Sequence, residues 1–319
     1  MRILVTGAAG LIGKRLVPKL LERGDTVLPL SRKPLFPDTF GPGACDPLVG
    51  DPSQAGPWLD SITGCDAVVH LAGEPILGRR WNDAVLKQIL DSRVNSTALI
   101  ARALAENPRR SDGSPKVLIS GSAVGYYGAN SGLGEMLEPS PAGSDALARI
   151  CIAWEAAAEP ATTAGVRVVH PRTGIVLDPD GGALPTMVRP FKLFAGGRIG
   201  LGKQYVPWIH RDDMTSLLIH LLDRDDCRGA FNACSPNPVT NAQFSAALGK
   251  VLRRPNWLPV PRLAIRVLLG KVAEVVVGGQ RAIPGQTLAS GFAFQFPDLE
   301  AALRDLLLQP DDHMPNHTP

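Results

Sequence analysis

Met1-Arg-Ile-Leu-Val-Thr-Gly-Ala-Ala-Gly-Leu-Ile-Gly13 is the stretch that decides the fold of this chain. Its apolar run, Ile3 to Val5, predicts a buried first strand, and three glycines follow at three-residue spacing. Such glycines permit a tight turn, close approach of a pyrophosphate to the backbone, and close packing of the next helix, whose N-terminus favours negative charge. The stretch therefore predicts a dinucleotide-binding turn, although an ordinary strand-turn-helix uses glycines in the same way. The residues expected at the cofactor are Gly7, Gly10, Leu11, Ile12 and Gly13.

Strand and helix signals alternate along the first half of the chain. Apolar positions at helical spacing follow the glycines and end before Gly24, and residues 26–30 supply a second apolar strand. The predicted strands lie near 2–6, 26–30, 67–71, 116–120 and 166–170, and the predicted helices near 11–23, 82–106 and 144–159. This order predicts the α/β class, with a Rossmann-like doubly wound parallel sheet and helices on both faces.

The chain changes character after Arg172. Glycines and prolines cluster through residues 178–207, which predicts irregular connections around a cleft. Further on, a helix cap is expected at Asp212 and a capping box in Thr240-Asn-Ala-Gln243. The predicted units are a dinucleotide-binding domain at 1–171, its sheet completed by about 208–234, a smaller C-terminal substrate lobe at 172–207 and 235–309, and a disordered tail at 310–319.

Composition argues against several classes of function. The chain has 319 residues, 45% of them hydrophobic, and a formal net charge of +3 without a basic block, so we expect no nucleic acid partner. No apolar run is long enough to span a bilayer, so we expect no membrane partner. Five cysteines without a closely spaced pair argue against a disulfide framework and a zinc site, so we expect no metal and a cytoplasmic location. The expected partner is a small-molecule substrate, and both monomer and homodimer remain open.

The end of the second strand indicates which nicotinamide cofactor binds. NAD-binding sites usually carry a carboxylate here for the ribose 2′-hydroxyl. This chain instead has Ser31-Arg-Lys33, with no acid between Thr26 and Leu35. A serine hydroxyl and a guanidinium suit a 2′-phosphate, since arginine donates two aligned hydrogen bonds to its oxygens. Ser31 and Arg32 therefore predict NADP(H), with a solvated basic turn as the alternative.

Other candidates for the cofactor stand at the carboxyl ends of the predicted strands, where ligands bind in such sheets. Asp51 could accept a hydrogen bond from the adenine amino group or lie alone on the surface. Small residues after the strand at 67–71 would let the backbone approach the riboses. Arg79 and Arg80 follow; Arg80 is a candidate substrate contact, with a surface salt bridge as the alternative. The remaining cofactor candidates are Leu71, Ala72, Gly73, Glu74, Ser120 and Pro171.

A family resemblance covers nearly the whole chain. Three motifs resemble the extended short-chain dehydrogenase/reductase superfamily: Thr6-Gly-Ala-Ala-Gly-Leu-Ile-Gly13, His70-Leu-Ala-Gly73 and Ser120-Gly-Ser-Ala-Val-Gly-Tyr-Tyr-Gly128. Other segments are similar to its atypical "epimerase family" branch, which includes bacterial proteins described as nucleoside-diphosphate-sugar epimerases and the animal short-chain dehydrogenase family 39U member. These segments are Leu71-Ala-Gly-Glu74, Arg80-Trp81, Cys151-x-x-Trp154-Glu155, Pro207-Trp-Ile-His210, Gly279-Gln-Arg-Ala-Ile-Pro284 and Gly291-Phe292. The branch typically ends in a small domain of unknown function.

The resemblance implies a Rossmann fold with bound NADP(H), and it exposes a departure. Active extended members use a tyrosine, with a lysine four residues later, as proton donor or acceptor. Glu155 matches the glutamate four residues after that lysine, which puts Leu147 at the tyrosine position and Cys151 at the lysine position. Neither side chain can do that chemistry.

Other residues in the same regions are candidates for catalysis and substrate contact. Ser122 matches the serine or threonine that polarises a substrate carbonyl, and its hydroxyl can donate to a developing oxyanion or serve only in a turn. Tyr127, with Tyr126 beside it, could replace the missing acid or pack as a loop aromatic. Arg172 could meet a phosphate or carboxylate of the substrate, or a structural acid. His210 stands where extended members border the substrate pocket, with packing against the sheet as the alternative.

Two classes of function follow. The first is an NADP(H)-binding, epimerase-like oxidoreductase acting on a small polar substrate, either a nucleotide sugar or another carbonyl compound, with a carbonyl or quinone reductase as a variant. The second is a non-catalytic NADP(H)-binding sensor or scaffold, which Leu147 and Cys151 favour.

Overall fold

The computed structural model describes residues 1–35, 37–40, 47–76, 79–129, 134–270 and 273–308, and the predicted tail at 310–319 lies outside them. The strands are β1 (Arg2–Thr6), β2 (Thr26–Ser31), β3 (Leu48–Val49), β4 (Ala67–His70), β5 (Val117–Ser120), β6 (Ser122–Ala123), β7 (Glu135–Met136), β8 (Arg167–Thr173), β9 (Ile175–Leu177), β10 (Tyr205–Val206), β11 (Trp208–His210), β12 (Gly229–Ala233), β13 (Val239–Thr240) and β14 (Arg281–Ala282). The helices are α1 (Gly13–Glu22), α2 (Asp60–Thr63), α3 (Asp83–Glu106), α4 (Ala146–Ala156), α5 (Glu159–Thr163), α6 (Leu184–Lys192), α7 (Arg211–Asp223), α8 (Asn241–Leu252), α9 (Arg262–Leu269), α10 (Ala273–Val277), α11 (Gly285–Ala289) and α12 (Leu299–Leu308).

A parallel sheet forms the centre of the molecule, in the order β3-β2-β1-β4-β5-β8-β12. After Gly121, β6 continues the path of β5 and also pairs with β8. Ile3 pairs with Val27 on one side and Ala67 on the other, so β1 lies at the point where the strand order reverses. The strands predicted from the apolar runs are confirmed, because runs of Val, Ile and Leu suit strands that are buried on both faces.

Helices cover both faces of this sheet, which confirms the doubly wound architecture. On one face, α1 and α7 pack Leu16 and Leu217 onto the strands. On the other, α3 and α5 contribute Ile100 and Ala161 to a second core. The helix predicted at 144–159 is α4, which ends at Ala156; a separate short helix, α5, follows from Glu159, with Pro160 in its first turn. No helix in the described ranges is both long and apolar enough to cross a bilayer.

A third core joins α6, α8 and α12 in the C-terminal part of the chain. The predicted capping box is confirmed, since the side chains of Thr240 and Gln243 each bond the other's backbone nitrogen. The cap predicted at Asp212 is wrong: His210 is the N-cap of α7, and its Nδ1 accepts the Asp212 N–H. Residues 208–210 pair with β9 in a separate two-stranded sheet, whereas β12 extends the main sheet by pairing with β8.

Candidate functional site

The three glycines form the turn between β1 and α1. Gly7 has a φ of +68°, and a Cβ at this position would lie 2.9 Å from the Ala72 nitrogen. Gly10 donates its N–H to the Gly7 carbonyl oxygen at 2.9 Å. A Cβ at Gly13 would lie 2.3 Å from that same oxygen, so the first residue of α1 has to be glycine. The turn is therefore closed by backbone contacts that leave no room for side chains.

The N-terminus of α1 is open to an anion. No side chain caps it, and its first turn contains no acidic residue. The first N–H groups and the positive end of the helix dipole therefore lack a protein anion. Leu11 and Ile12 are half-buried beside this terminus. The glycine turn and the uncapped helix fit a pyrophosphate.

The start of the glycine- and proline-rich stretch at 178–207 lies over this turn. A Cβ at Gly182 would lie 2.9 Å from Leu11 Cδ2, so the chain that follows β9 contacts the predicted cofactor turn. Arg15 on α1 donates to Asp178 through Nε at 2.6 Å and Nη2 at 3.1 Å. Burial opposes ionisation of Asp178, but the hydrogen bond from Arg15 leaves the pKa of this carboxyl below its usual range. This ion pair fixes the C-terminal lobe to the helix that carries the anion site.

Hydrogen bonds around His70, the last residue of β4, fix the tautomer of its ring. The Ala72 N–H donates to Thr6 Oγ1 at 3.2 Å, and the Thr6 hydroxyl then donates to His70 Nδ1, 2.6 Å away. The Ser96 hydroxyl donates to a carbonyl oxygen one turn earlier in α3 at 2.6 Å and accepts from His70 Nε2 at 2.9 Å. Burial, with a nearby arginine, lowers the pKa of His70 to about 3, so the ring is neutral. The network holds the backbone of Ala72 beside the glycine turn.

The carboxyl ends of β2 and β4 carry the charges predicted to select the cofactor. Leu71-Ala-Gly-Glu74 continues from β4, and Glu74 Oε1 lies 2.9 Å from Arg32 Nη1. Arg79 Nη2 lies 3.0 Å from the other Glu74 oxygen. The Arg32 side chain is 66% exposed, so much of its guanidinium faces solvent. Ser31 is half-buried, and its Oγ accepts the Lys33 N–H at 3.3 Å.

The other predicted cofactor residues lie along the same edge of the sheet. Asp51 follows β3, and its Oδ1 accepts both the N–H and the hydroxyl of Ser53, at 2.9 and 2.7 Å. Gly73 is exposed, and a Cβ there would lie 3.1 Å from Arg93 Cζ. Ser120 ends β5 with a buried hydroxyl that has no hydrogen-bond partner among the described residues. Pro171 is buried in β8.

The positions of the absent tyrosine and lysine are packed against a loop. Leu147 and Cys151 are 9% and 4% exposed on α4. A Cβ at Gly125 would lie 3.5 Å from Leu147 Cβ and 3.7 Å from the Cys151 sulfur. Burial raises the pKa of the Cys151 thiol to about 12, so the thiol is protonated at neutral pH. Both side chains fill space under the loop that follows Ser122.

Ser122 is bonded to an ion pair that spans α4 and β8. Its hydroxyl donates to Glu155 Oε1 at 2.6 Å. Arg172 binds the same carboxylate with two hydrogen bonds, from Nε at 2.8 Å and Nη2 at 2.9 Å. Burial disfavours the Arg172 cation, but Glu155 raises the pKa of this guanidinium above its usual range. Arg172 was predicted to meet either a substrate anion or a structural acid, and in the structure it binds a structural acid, Glu155. The Ser122 hydroxyl directs its proton to the same carboxylate.

Tyr127 extends this cluster into the core. Its hydroxyl donates to Asn232 Oδ1 at 2.8 Å and accepts from Arg172 Nη1 at 3.0 Å. Burial raises the pKa of Tyr127. The ring of Tyr126 lies 3.4 Å from the centre of the same guanidinium, on its face. The two tyrosines thus hold Arg172, and Tyr127 is 3% exposed.

The other two predicted substrate residues lie apart from this cluster. His210 is fully buried, caps α7 and stacks on Phe296 with ring centroids 3.9 Å apart. The structure corrects the expectation that it borders the pocket, because packing encloses the whole ring. Arg80 is exposed, and its Nη2 donates to the Val267 carbonyl oxygen at 2.6 Å. This bond ties the loop after β4 to α9.

One group in the described residues has the ligand types for a metal: His210, Asp212 and Asp305. His210 Nδ1 accepts a backbone N–H at 3.1 Å, so the proton of the neutral ring is on Nε2. That nitrogen faces Asp305 Oδ2 at 3.2 Å. Neither ring nitrogen has a lone pair free for a metal, and the group is a helix cap with an adjacent carboxylate.

Comparison with known proteins gives two family matches and full-length relatives. A model described as "NAD dependent epimerase/dehydratase family" matches residues 3–234, and one described as a domain of unknown function, DUF1731, matches residues 260–306. The chain is 39% identical over 312 residues to the chloroplastic SDR39U1 homolog of Arabidopsis thaliana, an epimerase family protein, covering 96% of this chain and 87% of that relative.

Two crystal structures are similar over nearly the whole chain. Human epimerase family protein SDR39U1 (isoform2), solved with NADPH, has a TM-score of 0.81 and 36% identity, covering 96% of this chain and 99% of that chain. A nucleoside-diphosphate sugar epimerase from Corynebacterium glutamicum has a TM-score of 0.77 and 32% identity, covering 96% of this chain and 58% of that chain. The glycine turn and the C-terminal lobe both fall within these matches.

Proposed function

Because the chain belongs to the NAD-dependent epimerase/dehydratase family, we propose that it is an NADP(H)-binding, epimerase-like oxidoreductase that acts on a small polar substrate. The observation that carries the proposal is the hydrogen bond from Ser122 to Glu155, at the carboxyl end of the sheet. It gives the site a route for a proton where Leu147 and Cys151 supply none. The substrate is a carbonyl compound or its alcohol, with a nucleotide sugar as one candidate.

The glycine turn and the end of β2 would hold the cofactor. The N-terminus of α1 would hold the pyrophosphate, and Arg32, which pairs with Glu74, would hold the 2′-phosphate. The NADPH bound to the human relative supports this choice of cofactor. NADP(H) supplies a donor or acceptor of hydride at its nicotinamide ring.

Ser122 and Glu155 would move the proton. When a substrate hydroxyl is oxidised, Ser122 Oγ accepts its proton while the Ser122 proton passes to Glu155 Oε1; reduction reverses both transfers. Arg172 fixes the position of the Glu155 carboxylate beside Ser122, and Tyr127 holds Arg172. Ser122 in this role is a relay, whereas the sequence suggested a direct donor to an oxyanion. The two roles differ because the Ser122 hydroxyl already donates its hydrogen bond to Glu155.

A second candidate is the non-catalytic sensor or scaffold. The 4% exposure of Ser122 favours it, because little of the hydroxyl is open to a substrate. Under this hypothesis the Ser122–Glu155–Arg172 cluster is a structural link between α4 and β8. The protein would then bind NADPH without turnover.

The test begins with purified protein, NADPH, and a panel of aldehydes, ketones and nucleotide sugars. We expect NADPH oxidation with at least one compound, and a loss of about 100-fold or more in kcat for Ser122→Ala and Glu155→Gln, the scale of a lost general acid–base step. Glu159→Gln, an exposed neighbour on α5, is the matched control. Tight NADPH binding without turnover on any compound would favour the sensor instead.

Cofactor choice has its own test. Arg32→Ala should weaken NADPH binding about 10-fold to 100-fold and leave NADH binding nearly unchanged, because only the 2′-phosphate meets the guanidinium. Lys33→Ala, which removes the next exposed cation, should weaken NADPH binding much less. Equal losses of both cofactors in the Arg32 variant would refute the assignment.

A further inference from the structure

Large apolar side chains are exposed together on two segments of the C-terminal lobe. Twelve such residues are exposed in the part of the chain that the structure describes. Seven of them lie within two segments, residues 193–201 and residues 257–267. Trp257 is 66% exposed and Leu263 71%. We name the surface of residues 193–203 and 253–267 the apolar tip. Its exposed apolar members are Leu193, Phe194, Leu201, Trp257, Leu258, Leu263 and Val267.

The two segments of the apolar tip form one surface because their backbones are bonded to each other. Bridges join Gly196 to Asn256 and Ile199 to Val260. The Trp257 indole N–H donates to the Phe194 carbonyl oxygen at 3.1 Å, which ties the two aromatic residues together. The exposed side chains are therefore presented by a connected backbone, with α9 continuing from its end.

Two residues of the apolar tip have strained backbones. Phe194 and Arg253 have φ values of +60° and +53°, and no other non-glycine residue in the described ranges has a positive φ. Arg253 directly follows α8, and Phe194 comes one residue after Leu193, the C-cap of α6; glycine is the usual choice for a left-handed residue at a helix end. A phenylalanine held in this conformation and left exposed points to a function of the surface.

The two segments of the apolar tip carry charge of one sign. Residues 181–211 and 227–273 contain no aspartate or glutamate. The exposed cations on and beside the tip are Arg189, Lys192, Arg198, Lys203, Arg253, Arg254 and Arg262. The guanidinium of Arg254 lies over the Phe194 ring at 4.5 Å, so cations and apolar groups are interleaved.

We propose that the apolar tip docks on a membrane surface that contains anionic lipids. Aromatic and aliphatic side chains enter the interfacial layer, and long basic side chains reach the phosphate groups. A second copy of the chain fits poorly, since a two-fold contact would bring the two sets of cations together. Nucleic acid fits poorly too, because five of the seven exposed apolar groups are aliphatic and give bases no ring to stack on. The proposal departs from the sequence-based expectation of no membrane partner, which rested on the lack of a spanning segment; docking of this kind needs no spanning helix.

The proposal predicts a spectroscopic signal from one tryptophan. Trp58, Trp81, Trp154 and Trp208 are buried, whereas Trp257 is exposed on the tip. Vesicles of phosphatidylcholine with 30% phosphatidylglycerol should shift the emission of the intact protein to shorter wavelength and sediment with it. Pure phosphatidylcholine vesicles, or high salt, should reduce binding strongly. Equal binding to both vesicles, or none to either, would overturn the proposal.

Single substitutions test whether the apolar tip is the surface that binds the vesicles. Leu263→Glu should weaken vesicle binding about tenfold or more, and Arg198→Gln about fivefold, the effect of one lost cation near an anionic surface. Matched controls elsewhere are Leu288→Glu and Arg102→Gln, both at exposed positions, and both should bind like the parent chain. Unchanged binding in the tip variants would overturn the proposal. Self-association that Leu263→Glu abolishes, without vesicle binding, would assign the tip to a protein interface. NADPH binding by each variant reports its folding.

Discussion

Acidification should destabilise this protein through His70, and the size of the effect follows from its surroundings. The ring is fully buried between Thr6 and Ser96, and burial lowers its pKa to about 3. The same ring in the unfolded chain titrates near pH 6.5, at about the ordinary value for histidine. Between these two values the unfolded chain binds a proton that the folded protein does not bind. The stability contributed by His70 is therefore fully present above pH 6.5 and decreases as the pH falls below it.

Linkage converts this difference into a free energy. Between pH 7 and pH 5, a histidine with these two pKa values lowers the free energy of unfolding by about 2 kcal/mol. The assay is urea unfolding at pH 7, 6 and 5, followed by tryptophan fluorescence, in the parent chain and in His70→Gln. Glutamine keeps a donor and an acceptor but does not titrate. Between pH 7 and pH 5, the free energy of unfolding of His70→Gln should fall by about 2 kcal/mol less than that of the parent chain. The variant is nevertheless less stable than the parent at every pH.

Other histidines define the control. Burial also lowers the pKa of His170, His210 and His220, so all three add to the pH dependence of both proteins and cancel in the difference. His220→Gln, whose ring is only half-buried, should keep most of the parent's pH dependence. If the free energies of unfolding of the parent and of His70→Gln changed between pH 7 and pH 5 by amounts that agree within about 0.5 kcal/mol, the assignment of a neutral His70 would be refuted.

Three further predictions use other parts of the fold. Gly13→Ala should abolish NADPH binding in a fluorescence titration, because its Cβ would lie 2.3 Å from a backbone oxygen of the turn, whereas Gly56→Ala, whose nearest contact would be 3.4 Å, should bind normally. Arg172→Met should lower the free energy of unfolding by about 3–5 kcal/mol in urea, since it leaves Glu155 without its charge partner; an unchanged midpoint would contradict this. Iodoacetamide at neutral pH should leave the buried thiols unmodified in native protein, as peptide mass spectrometry can show; they are Cys65, Cys151, Cys227 and Cys234.

Local patterns explain which parts of the structure the sequence could predict. The strands of the sheet, the glycine turn and the capping box at Thr240 each depend on residues within a few positions of one another. Strand periodicity, turn geometry and cap chemistry act over the same distance. The expected cap at Asp212 failed within that range, because His210 two residues earlier accepts the backbone N–H instead.

The contacts that shape the candidate site join residues far apart in the chain. Arg15 and Asp178 are 163 residues apart, and Thr6 and His70 are 64 apart. In the sequence, Glu155 served only to locate the position of the missing lysine. Its hydrogen bond to Ser122 depends on how α4 packs on the sheet. The acid-free runs of the apolar tip were also visible, but their meaning depends on exposure, which the sequence does not give. Long-range packing therefore determines the chemistry, while local signals determine the scaffold.

The missing tyrosine and lysine and the Ser122–Glu155 bond belong to one arrangement. Cys151 interacts electrostatically with Glu155, Arg93 and Arg172. A lysine at position 151 would therefore add a third cation to a buried region in which Glu155 already pairs with Arg172. Such a cation would cost desolvation energy and compete for the carboxylate. Cys151→Lys combined with Leu147→Tyr should thus weaken the fold without restoring the usual proton donor, because the charge balance of this site is built around Glu155.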